Sequence, residues 1–210
     1  MAQQNHIIEI PALLNHSISR RLIFAVEGLT IEKSFGFNAV KFIPAENLAA
    51  IRMGVNNIGI TWLNDKFFSI GKQYVIELKL HDDSIVKINL NSLYNLRVQD
   101  YDLAWADMVK HLYSFYFSSQ LNLYIELFQL KQSFNIAGIN FYPNGISWDN
   151  HIMLRWNQVS LSNYQSYFVI HHRQNVHINK SFNFLDVWNA HILQAMLKYA
   201  VEDYQRMFSE

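Results

Sequence analysis

Three histidines, His171, His172 and His177, lie within seven residues of one another in a strand-rich segment. A short loop over residues 173–175 predicts a hairpin in which His172 pairs with Val176 and His171 faces His177 on the outer side of the sheet. Directly opposed side chains in a sheet are close enough for two imidazoles to bind one metal ion such as zinc. The sequence therefore gives His171 and His177 as candidate metal ligands.

A metal site at this hairpin needs a third ligand, because zinc sites in proteins generally use three or four side chains. His151 and His191 are the candidates for that position. The alternative interpretation is that His171 and His177 are solvated strand histidines in a chain that contains nine histidines. No cofactor is predicted, and a metal-dependent enzyme that uses these histidines ranks third among the hypotheses for function.

The composition argues against several other kinds of chemistry. The chain has no cysteine, which excludes disulfides, thiolate nucleophiles and cysteine-based metal sites. The 17 Lys and Arg residues balance the 17 Asp and Glu residues, and a net charge of zero gives no general attraction to nucleic acid. The sequence carries no complete phosphate-binding loop, nucleophile elbow or zinc-protease motif. We therefore expect no nucleic-acid partner and no enzymatic activity.

The distribution of apolar residues predicts a folded, soluble protein. Half of the residues are hydrophobic and 15% are aromatic, which is enough to form buried cores. The apolar stretches are interrupted by charged or amide side chains before they reach the length that spans a bilayer. Residues 1–10 lack the basic and apolar regions of a signal peptide. We expect a cytoplasmic protein without an integral membrane segment.

The order of predicted elements is strands followed by helix, and it occurs twice. Residues 21–90 are rich in β-branched and aromatic residues with frequent turn signals, which predicts a series of strands. Apolar residues at helical spacing predict a helix over residues 101–116 and a second helical stretch over 121–132. Strand-like sequence returns over residues 134–180, and a final helix is predicted over residues 185–207.

Local matches between the two halves indicate an internal duplication. They fall in the same order along both halves, and the shrinking offset between them shows that the first half carries more residues in its loops. Most of the excess lies around residues 54–73, which predicts one additional hairpin there. The matching segments are 28–32 with 145–149, 74–76 with 168–170, 86–89 with 176–179, Trp105 with Trp188, and Tyr116 with Tyr199.

The hairpin of the first half has a predicted register. A loop over residues 81–83 pairs Leu78 with Val86 and places Glu77 opposite Lys87 as a charge pair on the outer face. The side chains predicted to point inward are those of Tyr74, Ile76, Val86 and Ile88.

A bent set of antiparallel strands closed by one C-terminal amphipathic helix resembles the pleckstrin-homology-like barrel. Residues 21–116 resemble that plan throughout, and residues 134–199 resemble a shortened version. The segments 28–32, 145–149 and 154–159 are similar to turn and strand motifs of bacterial pleckstrin-homology-like domains. The resemblance implies a mainly β protein of the α+β class, with two tandem barrels that are each capped by a helix.

The same resemblance implies the domain limits and bears on the ligand. Domain 1 would cover residues 1–132, with an N-terminal extension and a connecting helix, and the shorter domain 2 would cover residues 133–210. Eukaryotic members of this class hold phosphoinositides with Lys and Arg around the first strand–strand loop. The corresponding loops here, residues 27–28 and 143–145, contain no basic residue. We therefore expect no phosphoinositide binding, since the headgroup requires several converging cations.

Both closing helices carry apolar residues outside the stripe that a barrel would cover. Tyr113 and Phe117 lie off the main stripe of the first helix, and Leu193 and Leu197 lie off that of the last. An additional apolar face on a helix is expected to pack against another protein surface. The three alternatives are another part of the same chain, a second copy in a homodimer, and a foreign protein, so these four residues are interface candidates.

The sequence ranks three hypotheses for function. The first is a non-catalytic binding or scaffolding protein that acts through apolar and aromatic surfaces on a protein partner. The second is a small-ligand or lipid-binding module with a site between the two units. The third is the histidine-based metal-dependent enzyme.

Overall fold

The structure is a computed structural model that describes residues 5–12, 19–33, 40–62, 66–94, 96–149 and 152–207. The chain divides into two compact units, Met1–Phe117 and Ser118–Glu210. Strands make up about half of the described residues, and every described strand pairing is antiparallel. The prediction of a mainly β protein with a C-terminal helix is therefore confirmed.

The first unit contains two antiparallel sheets followed by a helix. A turn of 3-10 helix, Ala45–Asn47, separates the sheets, and a π-helical segment, Tyr113–Phe117, follows the helix. The elements are β1 (His6–Pro11), β2 (Ser19–Ala25), β3 (Gly28–Lys33) and β4 (Val40–Pro44) in the first sheet, β5 (Leu48–Trp62), β6 (Lys66–Leu80) and β7 (Ile85–Leu93) in the second, and helix α1 (Val98–Leu112).

The second unit begins with a helix and then contains sheets of the same sizes. Its 3-10 turn, Trp156–Gln158, again separates a four-stranded sheet from a three-stranded one. The elements are α2 (Ser118–Gln129), then β8 (Phe134–Ile136), β9 (Ile139–Tyr142), β10 (Gly145–Trp148) and β11 (Ile152–Arg155), then β12 (Val159–Asn163), β13 (Tyr167–His172) and β14 (Asn179–Asn183), and finally α3 (Ala190–Met207).

The two units therefore repeat one succession of elements: four strands, a 3-10 turn, three strands and a helix. In the described residues all four sheets are open, and their hydrogen-bonded ladders do not close into a barrel. That the units are tandem pleckstrin-homology-like barrels stays a prediction.

Each unit has its own apolar core, built from alternating strand residues and one helix face. In strand β7, Val86, Ile88 and Leu90 are buried while the side chains between them are more exposed. Helix α1 buries Met108 and Leu112, four residues apart on one face. The second unit buries large aromatic side chains, among them Trp148, Phe141, Phe168 and Phe182.

Two glycines occupy equivalent positions in the two units. Gly28 and Gly145 each begin the third strand of a four-stranded sheet. A Cβ atom at Gly28 would collide with the backbone oxygen of Ile43, and one at Gly145 would collide with the backbone oxygen of Leu154. Both sites require glycine because neighbouring backbone fills the space of a side chain.

The helix limits differ from the sequence prediction at their ends. Helix α1 begins three residues before the predicted start and gives way to π-helix at Tyr113. Helix α2 is Ser118–Gln129 and lies in the second unit, whereas the predicted domain boundary followed residue 132. The last helix begins at Ala190 rather than at residue 185, because Asn183 Oδ1 accepts the Leu185 N–H and holds this stretch in turns.

Candidate functional site

The predicted register of the histidine hairpin is wrong. Strand β14 begins at Asn179, which lies opposite His171, so His177 falls in the connection and does not face His171. The connection is longer than predicted because polar side chains stabilise its turns. His172 Nδ1 accepts the Asn175 N–H at 3.1 Å, and Asn175 Oδ1 accepts the His177 N–H at 3.2 Å.

Two of the other residues of the predicted metal site contact neighbours that are not histidines. The imidazole of His171 lies 3.1 Å from the Ser162 hydroxyl, measured from Nε2 to Oγ. The ring of His191 stacks on that of Phe184 with centroids 4.1 Å apart. His151 lies outside the described residues. Metal binding at His171 and His177 stays a prediction, without the cross-strand pairing that motivated it.

The four interface candidates lie mostly inside the chain. Phe117, Leu193 and Leu197 are fully buried. Tyr113 is half-buried and meets Phe117 edge to face, with ring centroids 5.2 Å apart. Burial raises the pKa of Tyr113 to about 12. That these four residues form an interface with a partner stays a prediction.

Three of the exposed large apolar side chains lie together on the hairpin of β5 and β6. Strand β7 pairs with β6 from Lys79 as far as Gly71, and both β5 and β6 continue beyond that point. We call residues 59–62 and 66–69 the hairpin tip. The side chains of Ile60, Phe67 and Phe68 in this tip are 54%, 53% and 56% exposed. The additional hairpin predicted around residues 54–73 is therefore the outer part of two long strands.

A bulge separates the hairpin tip from the rest of the sheet. Ile58 pairs with Gly71 and Gly59 pairs with Ser69, which leaves Ile70 as an extra residue on β6. The Phe67 ring lies against Gly59, where a Cβ atom would collide with it. A bulge bends its strand and increases the local twist, so the tip departs from the plane of the three-stranded sheet.

A second cluster contains side chains of the types that bind metal ions, and it joins strand β1 to helix α1. His6 Nε2 lies 3.2 Å from Asp107 Oδ2, and His111 Nε2 lies 3.5 Å from Asp107 Oδ1. The two imidazole rings stack with centroids 3.6 Å apart. Burial and the neighbouring His6 ring lower the pKa of His111, and their effect exceeds the opposite one of Asp107. Among the described residues, His6, Asp107 and His111 each offer one possible metal-ligand atom, and these three atoms lie within 4.8 Å of one another.

Sequence reasoning missed this cluster because it predicts no strand or helix within residues 1–20. The available signal was short: buried Ile8 and Ile10 alternate with exposed residues in β1, which is the pattern of a half-buried strand. A groove of about 500 Å³ runs between β1 and α1 beside the cluster. Its lining includes Glu9, Arg97, Asp100, Leu103 and Asp107.

The second unit has an apolar groove of its own, with a volume of about 460 Å³. Phe128, Trp156 and Tyr204 contribute to its lining. The indole N–H of Trp156 donates to the backbone oxygen of Pro143 at 3.2 Å, which fixes the ring at the wall of the groove. An apolar groove with a few polar groups is typical of small-molecule sites.

No family model, curated protein or solved structure matches the chain. Among the helices in the described ranges, none is long and apolar enough to cross a membrane. The functional interpretation therefore rests on the geometry of the sites described above.

Proposed function

We propose that this protein is a non-catalytic scaffolding protein, built from two pleckstrin-homology-like units, that associates with a second copy through its hairpin tip. The proposal of pleckstrin-homology-like units is supported by the repeated succession of four strands, a 3-10 turn, three strands and a helix. The observation that carries the proposed function is the exposure of Ile60, Phe67 and Phe68 on one projecting hairpin.

The backbone of the hairpin tip supports association by strand addition. Within the described part of the chain, β5 is the edge strand of its sheet, and residues 66–69 of β6 lie beyond the ladder with β7. An edge strand presents N–H and C=O groups that can pair with a strand from another chain. Strand addition supplies affinity through these groups, and the adjacent side chains supply specificity.

A second copy of the same chain fits this edge better than a charged partner. The chain has no net charge, so two copies do not repel each other at long range. Ile60 lies directly opposite Phe68 in the ladder, so the two share a face. A two-fold axis would bring a second Ile60 and Phe68 against the first and bury four apolar side chains together.

The mass of the protein in solution tests this proposal. We expect sedimentation equilibrium to give twice the 24.7 kDa of one chain, with dissociation on dilution. The variant Phe67→Ser/Phe68→Ser should be monomeric at the same concentrations, and the single variant Phe68→Ser should dissociate at higher concentration than the wild type.

The matched control replaces two exposed apolar residues of the second unit, Leu123→Ser/Val176→Ser, and it should remain dimeric. Circular dichroism should show that all the variants are folded, since the replaced side chains lie on the surface. A monomeric wild type at every concentration, or a control that dissociates as readily as the hairpin variant, would contradict the proposal.

The apolar groove of the second unit favours one alternative, the binding of a small apolar ligand. We expect the dye 1-anilinonaphthalene-8-sulfonate to bind there with saturation and to quench the fluorescence of Trp156. The exposed residue Asn144 lies at the groove, and Asn144→Arg should weaken dye binding without affecting the solution mass. Dye binding that does not saturate, or that Asn144→Arg leaves unchanged, would remove this alternative.

A further inference from the structure

We propose that His6, Asp107 and His111 form a binding site for a divalent transition-metal ion such as zinc. This site differs from the predicted pair His171 and His177, and it is independent of the proposed association through the hairpin tip. Its occupant is identified by the donors: two imidazoles and one carboxylate are the side chains that zinc and its neighbours in the first transition row bind most readily.

The local structure places the three donors together without any rearrangement of the backbone. Asp107 and His111 are four residues apart on α1, so their side chains share one face of the helix. His6 begins strand β1, and the pairing of His6 with Phe24 fixes its place at the end of the sheet. The site thus links the N-terminal strand to the helix that closes the first unit.

Two distances within the cluster are close to those between neighbouring donor atoms of a tetrahedral metal site. Bonds of about 2.0–2.1 Å to a tetrahedral zinc place neighbouring donor atoms about 3.3 Å apart. The observed separations are 3.2 Å from His6 Nε2 to Asp107 Oδ2 and 3.5 Å from His111 Nε2 to Asp107 Oδ1, so the two imidazoles contact different oxygens of the carboxylate. The rings are inclined by 21°, so they must rotate apart to direct both lone pairs at one ion. The His6 side chain is 39% exposed and that of His111 is 12% exposed, so His6 is the ring with more room to rotate.

The His111 ring is a buried polar group without a hydrogen bond in the described structure. Neither Nδ1 nor Nε2 has a hydrogen-bond partner, and both atoms are inaccessible to solvent. The contact of Nε2 with Asp107 at 3.5 Å is too long for an ordinary hydrogen bond. Buried polar atoms are nearly always satisfied, and coordination of a metal ion by Nε2 would satisfy one of these two.

The groove between β1 and α1 reaches the cluster at its carboxylate. Asp107 lines this groove, so an ion bound there can keep a water molecule as its fourth ligand. The other acidic residues of the groove are already engaged by arginines: Glu9 lies 3.4 Å from Arg21, and Asp100 lies 3.0 Å from Arg97. Asp107 instead faces the two imidazoles, which makes it the carboxylate that would bind the ion.

Titration of chelator-treated protein with zinc and with cobalt tests the site. We expect one equivalent of zinc to bind with micromolar affinity or better, and cobalt to give the visible absorption of a tetrahedral site. Zinc should also raise the thermal midpoint, because an ion that binds the folded state stabilises it. The variants Asp107→Asn, His111→Gln and His6→Gln should each weaken zinc binding at least tenfold.

The matched control is His171→Gln/His177→Gln, which removes two histidines of the other unit and should leave the affinity unchanged. His6→Gln keeps the test valid if a change on α1 unfolds the protein, since the His6 side chain is 39% exposed. A wild-type protein that binds no zinc would overturn the proposal. Zinc binding that is lost in the control variant and retained in His6→Gln would overturn it as well.

Discussion

The two units repeat one succession of elements, but they differ sharply in the length of the strands that form the second sheet. Strands β5 and β6 have 15 residues each, whereas β12 and β13 have five and six. The first strand also differs, with six residues in β1 and three in β8. The hairpin tip lies on two strands that are long in the first unit and short in the second, and His6 of the metal cluster begins a third such strand. The other two cluster residues, Asp107 and His111, lie on helix α1, which has 15 residues, against 18 in α3.

Some positions have equivalents in both units, and others occur in one unit alone. Shared positions, such as Gly28 and Gly145, satisfy the backbone of the repeated succession. Positions where the units diverge are free of that constraint and can serve binding. We expect the shared positions to be equivalent in the two units, and the divergent ones to contribute to the stability of one unit alone.

The largest effect is expected from the paired glycines. Gly28→Ala and Gly145→Ala should each lower the free energy of unfolding by about 3 kcal/mol, because the new methyl group collides with backbone that cannot move aside. Urea denaturation followed by tryptophan fluorescence measures both changes. Similar losses would support the equivalence of the two positions.

Gly138→Ala is the matched control for the glycine variants. A Cβ atom at Gly138 meets nothing within 4 Å, and the cost there comes from its φ of +80°. We expect a loss of about 1 kcal/mol from this left-handed backbone alone. A loss at Gly145 no greater than that at Gly138 would show that the two units do not share this constraint.

The next effect concerns an ion network around Glu77, at a position that histidine occupies in the second unit. Glu77 is buried between Arg52 and Lys87, with Oε2 2.6 Å from Arg52 Nε and Oε1 2.7 Å from Lys87 Nζ. The matching position in the second unit is His171, which contacts the Ser162 hydroxyl. Glu77→Gln should cost about 2 kcal/mol, since hydrogen bonds between charged groups are lost. His171→Gln should change the free energy of unfolding by less than about 0.5 kcal/mol.

The same network makes the stability of the first unit depend on pH. Burial alone raises the pKa of Glu77, but the hydrogen bonds from Lys87 and Arg52 exceed that effect and hold the pKa below the ordinary 4.5. The unfolded chain therefore takes up the proton first as the pH falls. The stabilisation is complete above pH 4.5 and is lost as the pH falls below that value. Urea denaturation between neutral and acidic pH should show a steeper loss for the wild type than for Glu77→Gln.

The two hairpins also show how far sequence reasoning reaches. In the first unit the predicted register is confirmed: Leu78 lies opposite Val86, Glu77 forms an ion pair with Lys87, and Tyr74 and Ile76 are buried. Apolar residues at every second position of both strands predicted that register. The prediction that Glu77 lies on the outer face is wrong in one respect, since its side chain is buried. In the second unit the alternation ends before the turn, and side-chain hydrogen bonds from His172 and Asn175 decide the length of the connection.

The candidate sites were harder to predict than the sheets. The excess residues around 54–73 did indicate a hairpin, but the sequence could not show that Ile60 and Phe68 lie on a ribbon beyond the third strand. The metal cluster joins residues that are 101 positions apart, His6 and Asp107. Such a contact depends on tertiary structure, and no local periodicity reports it. The i, i+4 spacing of Asp107 and His111 was the local signal present.

Among the changes made in the first unit, the smallest effect is expected at Tyr74, which matches Phe168 in the second unit. Both rings are buried, but the Tyr74 hydroxyl donates to Asp102 Oδ1 at 2.6 Å. Tyr74→Phe keeps the ring and gives the first unit the side chain of the second. Asp102 retains Lys72 at 3.2 Å and contact with water, so the loss should be about 1 kcal/mol.

The pH dependence distinguishes this hydrogen bond from ordinary side-chain contacts. Burial, the hydrogen bond to Asp102 and the charge of Asp102 all raise the pKa of Tyr74 above its ordinary 10.0. Above pH 10.0 the unfolded chain loses this proton while the folded chain keeps it, so stability falls as the pH rises. Tyr74→Phe should reduce that slope, and Asp102→Asn should reduce it in part. A slope that Tyr74→Phe leaves unchanged would contradict the prediction that the folded chain keeps the Tyr74 proton above pH 10.0.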